Sequence, residues 1–132
     1  KVYVSMENKL LFASGSWVVG AEGKSAVVEV GKILAENPDI SVLIEGHTDN
    51  VPYNGQGQIQ DNWDLSTKRA TSIVRILREN KDINPLNLTA AGRSEFAPVA
   101  GNETTEGKSK NRRIEIILTP KLDEISKMLN DI

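Results

Sequence analysis

Ile40-Ser41-Val42-Leu43-Ile44-Glu45-Gly46-His47-Thr48-Asp49 sets the architecture of this chain. Ile40, Val42 and Ile44 alternate with Ser41, Leu43 and Glu45, the period of a β-strand. Most positions on both sides are apolar, which predicts an interior place in a sheet. The strand runs into an acid, Asp49. Upstream, Ala26, Val27, Val30, Ile33 and Leu34 share one arc of a helix over residues 21–36, with Glu29, Lys32 and Glu36 opposite. Asn37-Pro38 ends that helix, because the residue before a proline disfavours the α region. Downstream, Pro52, Asn54, Gly55 and Gly57 punctuate a loop over 51–61. A second helix follows over about 63–80.

Further out the signals are shorter. Val2, Val4 and Met6 alternate with polar neighbours, and Leu10-Leu11-Phe12 follows the polar Glu7-Asn8-Lys9, which predicts an opening hairpin. A third strand is expected at about 87–91, after Asn84-Pro85, and a fourth at 112–118. Residues 92–110 read as irregular and polar. Pro120 is placed to start a C-terminal helix over 120–132, with Leu122, Ile125, Leu129 and Ile132 on one face. Helices alternating with strands predict an α/β (α+β) two-layer sandwich. Its expected form is a mixed four-stranded sheet in βαβαβ-β order, with helices packed on the sheet and the extra C-terminal helix. Residues 1–132 form one domain.

The chain has 132 residues, 39% of them hydrophobic and 26% charged, the profile of a globular domain with a real core. Sixteen basic against eighteen acidic residues give a net charge of −2, which argues against nucleic acid as a partner. With no cysteine there is no disulfide, thiolate metal site or cysteine nucleophile. A single histidine, His47, leaves no multi-histidine metal site. No metal and no cofactor are expected. No apolar run reaches the about 20 residues of a membrane span. The opening residues already read as a strand, so the chain is expected to begin inside a longer protein, with any export signal or membrane anchor upstream.

One position breaks the amphipathic pattern. With Leu65 as origin and about 100° per residue, Ile76, Ile73 and Leu77 fall near ~20°, ~80° and ~120°, and Arg69 near ~40° among them. Lys68, Arg75 and Arg78 fall on the far side. A guanidinium facing the core needs a counter-charge. Asp49 is the leading partner, since it follows an interior strand at the end where open α/β sheets bind ligands. Two readings stay open: a grip on a ligand bearing both an amine and a carboxylate, or a plain ion pair locking strand to helix.

Gly46-His47-Thr48-Asp49-Asn50-Val51-Pro52, the helix start Asn62-Trp63-Asp64-Leu65-Ser66-Thr67-Lys68-Arg69-Ala70, and Asn111-Arg112-Arg113-Ile114-Glu115-Ile116 stand in one order. Together they resemble the three motifs of the OmpA-like peptidoglycan-binding domain, the family of OmpA, Pal and MotB. The resemblance covers about residues 10–119, and the loop after Asp49 is similar to that of the MotB-like branch. It implies noncatalytic binding of the diaminopimelate of the peptidoglycan stem peptide, anchoring an envelope protein to the cell wall. Asp49 then takes the ammonium and Arg69 forks onto the carboxylate, with Thr48 and Asn62 as neighbouring contacts. Asn62 reads equally as a helix N-cap. One of Arg112 and Arg113 adds a second positive contact, or both start a solvated strand. The implied location is the bacterial periplasm, with an outer-membrane-attached parent favoured over an inner-membrane stator. Two other classes remain as alternatives. One is a protein-interaction domain with a structural Asp49–Arg69 pair. The other is a cell-wall hydrolase using His47 and Ser66, disfavoured because no Gly-x-Ser-x-Gly elbow is present. Trp17 and Trp63 read as core or rim aromatics.

Overall fold

The computed structural model describes residues 2–4, 10–55 and 57–120. In chain order they form β1 (Val2–Val4), α1 (Ala21–Glu36), β2 (Ile40–Gly46), α2 (Asn62–Leu77), a 3-10 turn (Pro85–Asn87), β3 (Leu88–Gly92), α3 (Thr105–Asn111) and β4 (Ile114–Pro120). β2 lies at the centre, parallel to β3 and antiparallel to β4. These three strands are the body of a mixed sheet, and the three-residue β1 adds antiparallel to the outer side of β4. The architecture is α+β.

The sheet and helices meet through alternate residues. Val42, Ile44, Ile114 and Ile116 turn to the helices and join Val27 and Leu34 of α1 with Ala70, Ile73 and Leu77 of α2 in one core. Each of the Val, Leu and Ile side chains among them, fully buried, contributes about 1.5–3 kcal/mol relative to exposure. α2 starts where the Asp61 carboxylate accepts the Asp64 N–H at 2.9 Å, so Asp61 rather than Asn62 caps it. α1 stops at Asn37, whose side chain donates to the Ile33 carbonyl at 2.7 Å.

Several expectations change. Leu10–Phe12 does not return as a hairpin. Val4 faces Ile116 and Leu11 faces Arg113, so both segments run the same way along β4. Phe12 N–H donates to the Arg112 carbonyl and Ile114 N–H to that of Leu10, at 2.9 and 3.1 Å. The segment read as irregular contains α3. It lacks an apolar stripe, burying only Gly107 and Asn111, so hydrophobic period is blind to it. Its signal is a cap: Thr104 Oγ1 accepts the Gly107 N–H at 2.9 Å. Ile33, assigned to the inner arc of α1, is 55% exposed. The buried line is Gly23, Val27, Gly31 and Leu34, with Leu77 and Ile83 packed over Gly31. α2 ends at Leu77, short of 80. Pro120 is the last residue of β4 rather than the first of a helix, and 121–132 lie outside the described residues.

Gly46 ends β2 directly against α2. A methyl group there would overlap the Ser66 carbonyl and crowd the Ala70 nitrogen, both backbone atoms that cannot step aside. Gly46→Ala is expected to destabilise the fold by about 1–3 kcal/mol or more, as overpacking does. Chemical denaturation checks this; an unchanged midpoint would mean that α2 is not seated on the strand end.

Candidate functional site

Three stretches converge beyond the carboxyl end of β2: residues 47–51, the segment 12–16, and the turn 111–113 that leads into β4. Asp49 is held among them. One carboxylate oxygen accepts the Val51 N–H at 3.1 Å, which closes a tight turn. The other accepts from Arg112 Nη1 at 2.8 Å. The Arg112 Nε donates to the Phe12 carbonyl at 2.7 Å. Both partners are largely shielded, with side-chain exposures of 6% and 14%. Thr48 donates its N–H to the Ser94 carbonyl at 2.9 Å and its hydroxyl to the Asp49 carbonyl at 2.8 Å. Asn62 donates to the Val51 carbonyl at 3.1 Å, while its side-chain oxygen is buried without a partner.

Arg69 has no exposed surface at all. The helical arc that placed it inward is correct, but its expected partner is not its contact. It donates from Nε to the Ser16 carbonyl at 2.8 Å, from Nη1 to the His47 carbonyl at 2.8 Å and from Nη2 to the Ala13 carbonyl at 3.3 Å. The Phe12 ring lies 5.0 Å from its guanidinium carbon, within cation–π range. Burial draws its pKa well below the usual guanidinium range, to about 10; Asp49 pulls it upward and Arg112 adds to the fall. It stays a cation at neutral pH. Asp49 therefore acts on it through space, while the contact ion pair joins Asp49 to Arg112. Three of the five guanidinium N–H groups are used, so two remain.

Arg113 turns elsewhere. Its Nε and Nη2 bond one Glu115 oxygen at 3.1 and 3.0 Å, and Nη2 also donates to the Ala97 carbonyl at 2.9 Å. The structure thus brings Asp49, Thr48, Asn62, Arg69 and Arg112 to one end of β2 and directs Arg113 to Glu115.

Two residues were not singled out from sequence. Asn111, fully buried, accepts the Val99 and Ala100 N–H groups and donates to Ala100 and Asn102, stapling the loop after β3. Its place at the head of the Asn111-Arg112-Arg113 motif is the signal the sequence offers. Phe96 lies with its ring centroid 5.6 Å from that of Trp63, both more than half exposed beside the start of α2. Trp63 is thus a rim aromatic.

The hydrolase geometry does not form. Ser66 donates its hydroxyl to the Trp63 carbonyl at 2.9 Å and accepts the Ser94 N–H at 3.0 Å. His47 instead turns its imidazole towards Glu45 and Glu115, with Nε2 at 3.4 and 3.8 Å from their oxygens.

The profile of the OmpA family matches residues 11–112. Motility protein B of Bacillus subtilis is 36% identical over 118 residues, covering 89% of this chain and 45% of that protein. The outer-membrane lipoprotein YfiB of Pseudomonas aeruginosa is 32% identical over 113 residues, covering 86% and 64%. The chain thus spans about half to two thirds of the length of these relatives. Among solved structures, the cell wall anchor of the T6SS from Pseudomonas aeruginosa is 36% identical with a TM-score of 0.68, over 80% of this chain and 72% of that one. The C-terminal domain of Helicobacter pylori MotB superposes with a TM-score of 0.79 over 96% and 95% at 20% identity, a likeness of fold.

His47 offers a test of the geometry at the strand end. Burial moves its pKa from 6.5 to about 4, with Arg113 and Arg93 acting the same way and Glu115 opposing. Between those values the unfolded chain binds a proton that the folded chain refuses, so this group makes stability rise with pH from about 4 to 6.5 and level off above. The His47 ring signals followed by NMR should stay those of a neutral imidazole from pH 8 to about 5. A midpoint near its ordinary value would contradict the burial.

Proposed function

The chain belongs to the OmpA family, whose profile spans residues 11–112, and from that premise we propose that it is a noncatalytic module that binds peptidoglycan and ties an envelope protein to the cell wall. The observation that carries this reading is the mixed polarity of the enclosed end of β2. The Asp49 carboxylate, in the loop after β2, and the partnerless Asn62 side-chain oxygen, at the start of α2, both offer acceptors. Arg69 and Arg112 offer cationic donors beside them. A buried acceptor without a partner suits an incoming N–H group. A similar protein, 36% identical, is itself described as a cell wall anchor.

The ligand proposed is the diaminopimelate end of the stem peptide, an ammonium and a carboxylate on one carbon. Asp49 accepts from the ammonium, with Asn62 and the Thr48 hydroxyl beside it. The two spare N–H groups of Arg69 take the carboxylate in parallel, which a planar guanidinium does and a point ammonium does not. Arg112 is the second positive contact and Arg113 stays with Glu115. Because Asp49 is paired and Arg69 enclosed, binding exchanges the Asp49–Arg112 contact for ligand contacts and shifts segment 13–16. The reading puts the domain in the bacterial periplasm, in a membrane-attached parent; among the described residues no helix is long and apolar enough to cross a membrane.

The domain should co-sediment with diaminopimelate-type sacculi. Asp49→Ala should abolish retention while circular dichroism stays that of the wild type; full retention would remove Asp49 from the site. Arg69→Lys should weaken binding to a stem peptide by on the order of one to a few kcal/mol, as for a charged hydrogen bond lost with its partner left unpaired. Calorimetry giving equal affinities would rule out the bidentate clamp. Retention on sacculi should survive a chelator, since the ligand carries its own charges; loss restored by a divalent cation would contradict the assignment.

A further inference from the structure

The proposed ligand site leaves one polar cluster unexplained. Along β2 the core residues Val42 and Ile44 face the helices, so Glu45 faces the other side of the sheet. It pairs in register with Glu115 of β4. His47 extends the same alternation past the strand end, and its imidazole joins the two carboxylates. That ring is 1% exposed, and neither of its nitrogens has a hydrogen-bond partner. A buried imidazole with both nitrogens unsatisfied is rare, and one aimed at two carboxylates fits a shared ligand.

The surrounding arginines sharpen the arrangement. Arg113 takes Oε1 of Glu115 with two N–H groups, leaving Oε2 towards His47 at 3.8 Å. Arg93 lies 3.9 Å from Oε2 of Glu45, leaving Oε1 towards His47 at 3.4 Å. Each carboxylate thus has one oxygen facing an arginine, hydrogen-bonded in Glu115 and at ion-pair distance in Glu45, and the other turned to the same imidazole nitrogen. The three donor atoms lie within 4.8 Å of one another. We propose that His47 Nε2, Glu45 Oε1 and Glu115 Oε2 form a divalent-cation site of the zinc class. Bonds of about 2.0–2.1 Å in a tetrahedral site set donors about 3.3–3.4 Å apart, so Glu45 already stands at that spacing from Nε2 and Glu115 must move inward to reach it. Glu115 is partly exposed, and a fourth ligand would come from water on that side. Arg113 and Arg93 offset the two carboxylate charges, so a purely oxygen-seeking ion gains little. The nitrogen donor selects zinc over magnesium. The cation would pin β2 to β4, and it lies apart from the ammonium and carboxylate contacts assigned to peptidoglycan.

Titration of the whole chain with zinc chloride at neutral pH, followed by calorimetry, tests this. The expected result is saturable binding of one equivalent, weakened about ten-fold or more in Glu45→Gln and in Glu115→Gln, with a zinc-dependent rise in melting temperature. Cobalt(II) added to the unmutated chain should develop the visible absorption of a low-coordinate site. No saturation up to millimolar zinc, equal affinity in both variants, or an equal response to magnesium would overturn the site. Retention on sacculi is a separate readout, so loss of either result leaves the other standing.

Discussion

A guanidinium with no exposed surface constrains this structure more than any other group. Arg69 sits in the apolar arc of α2, and a buried charge without partners would cost several kcal/mol. Three backbone carbonyls meet it, from Ala13, Ser16 and His47. That requirement shapes the chain around it. Segment 13–16 must bring its carbonyls inward, and the end of β2 must present the His47 carbonyl to α2. Gly46, where any side chain would strike α2, permits that close approach. Taking Arg69 away would leave three carbonyls short of donors, each at about 1–3 kcal/mol if water cannot reach them.

The same constraint arranges the charges of the site. With Arg69 committed to carbonyls, the Asp49 carboxylate is free to take Arg112, and does so at 2.8 Å. Two cations and one anion then lie within a few residues of a strand end, with one unpartnered acceptor on Asn62. A hydrolase would need an activated hydroxyl, and Ser66 is tied to the backbone on both sides. A plain strand-to-helix ion pair would need Asp49 on Arg69, and it is on Arg112. The mixed charge gathered at this strand end supports the proposed binding of a zwitterionic group.

Much of this was legible in the residues because it rests on local period. β2 was read from its alternation, α1 over its full span, and the inward position of Arg69 from a wheel. What was missed depends on contacts far apart in sequence or on groups that carry no hydrophobic signal. Arg112 reaches Asp49 across 63 positions, and no spacing rule connects them. Leu10–Phe12 looked like a return strand because pairing partners are chosen by the sheet, not by the segment. α3 is polar throughout and is marked only by its Thr104 cap. Ile33 was misplaced because Gly23 and Gly31 form the buried line of α1, and glycines do not register as apolar. Asn62 looked like a cap because Asp61, one residue earlier, offers the same chemistry.

If the enclosed end of β2 receives the ammonium and carboxylate of one ligand, the nuclei that line it must respond together. NMR of the isotopically labelled chain, titrated with a stem peptide ending in diaminopimelate, tests it most directly. The Arg69 and Arg112 Nε–H signals, the Asn62 side-chain amide and the backbone of 48–51 should shift together and saturate at one equivalent. Saturable binding that leaves those signals in place and moves only the Trp63–Phe96 rim or the outer faces of α1 and α2 would contradict it.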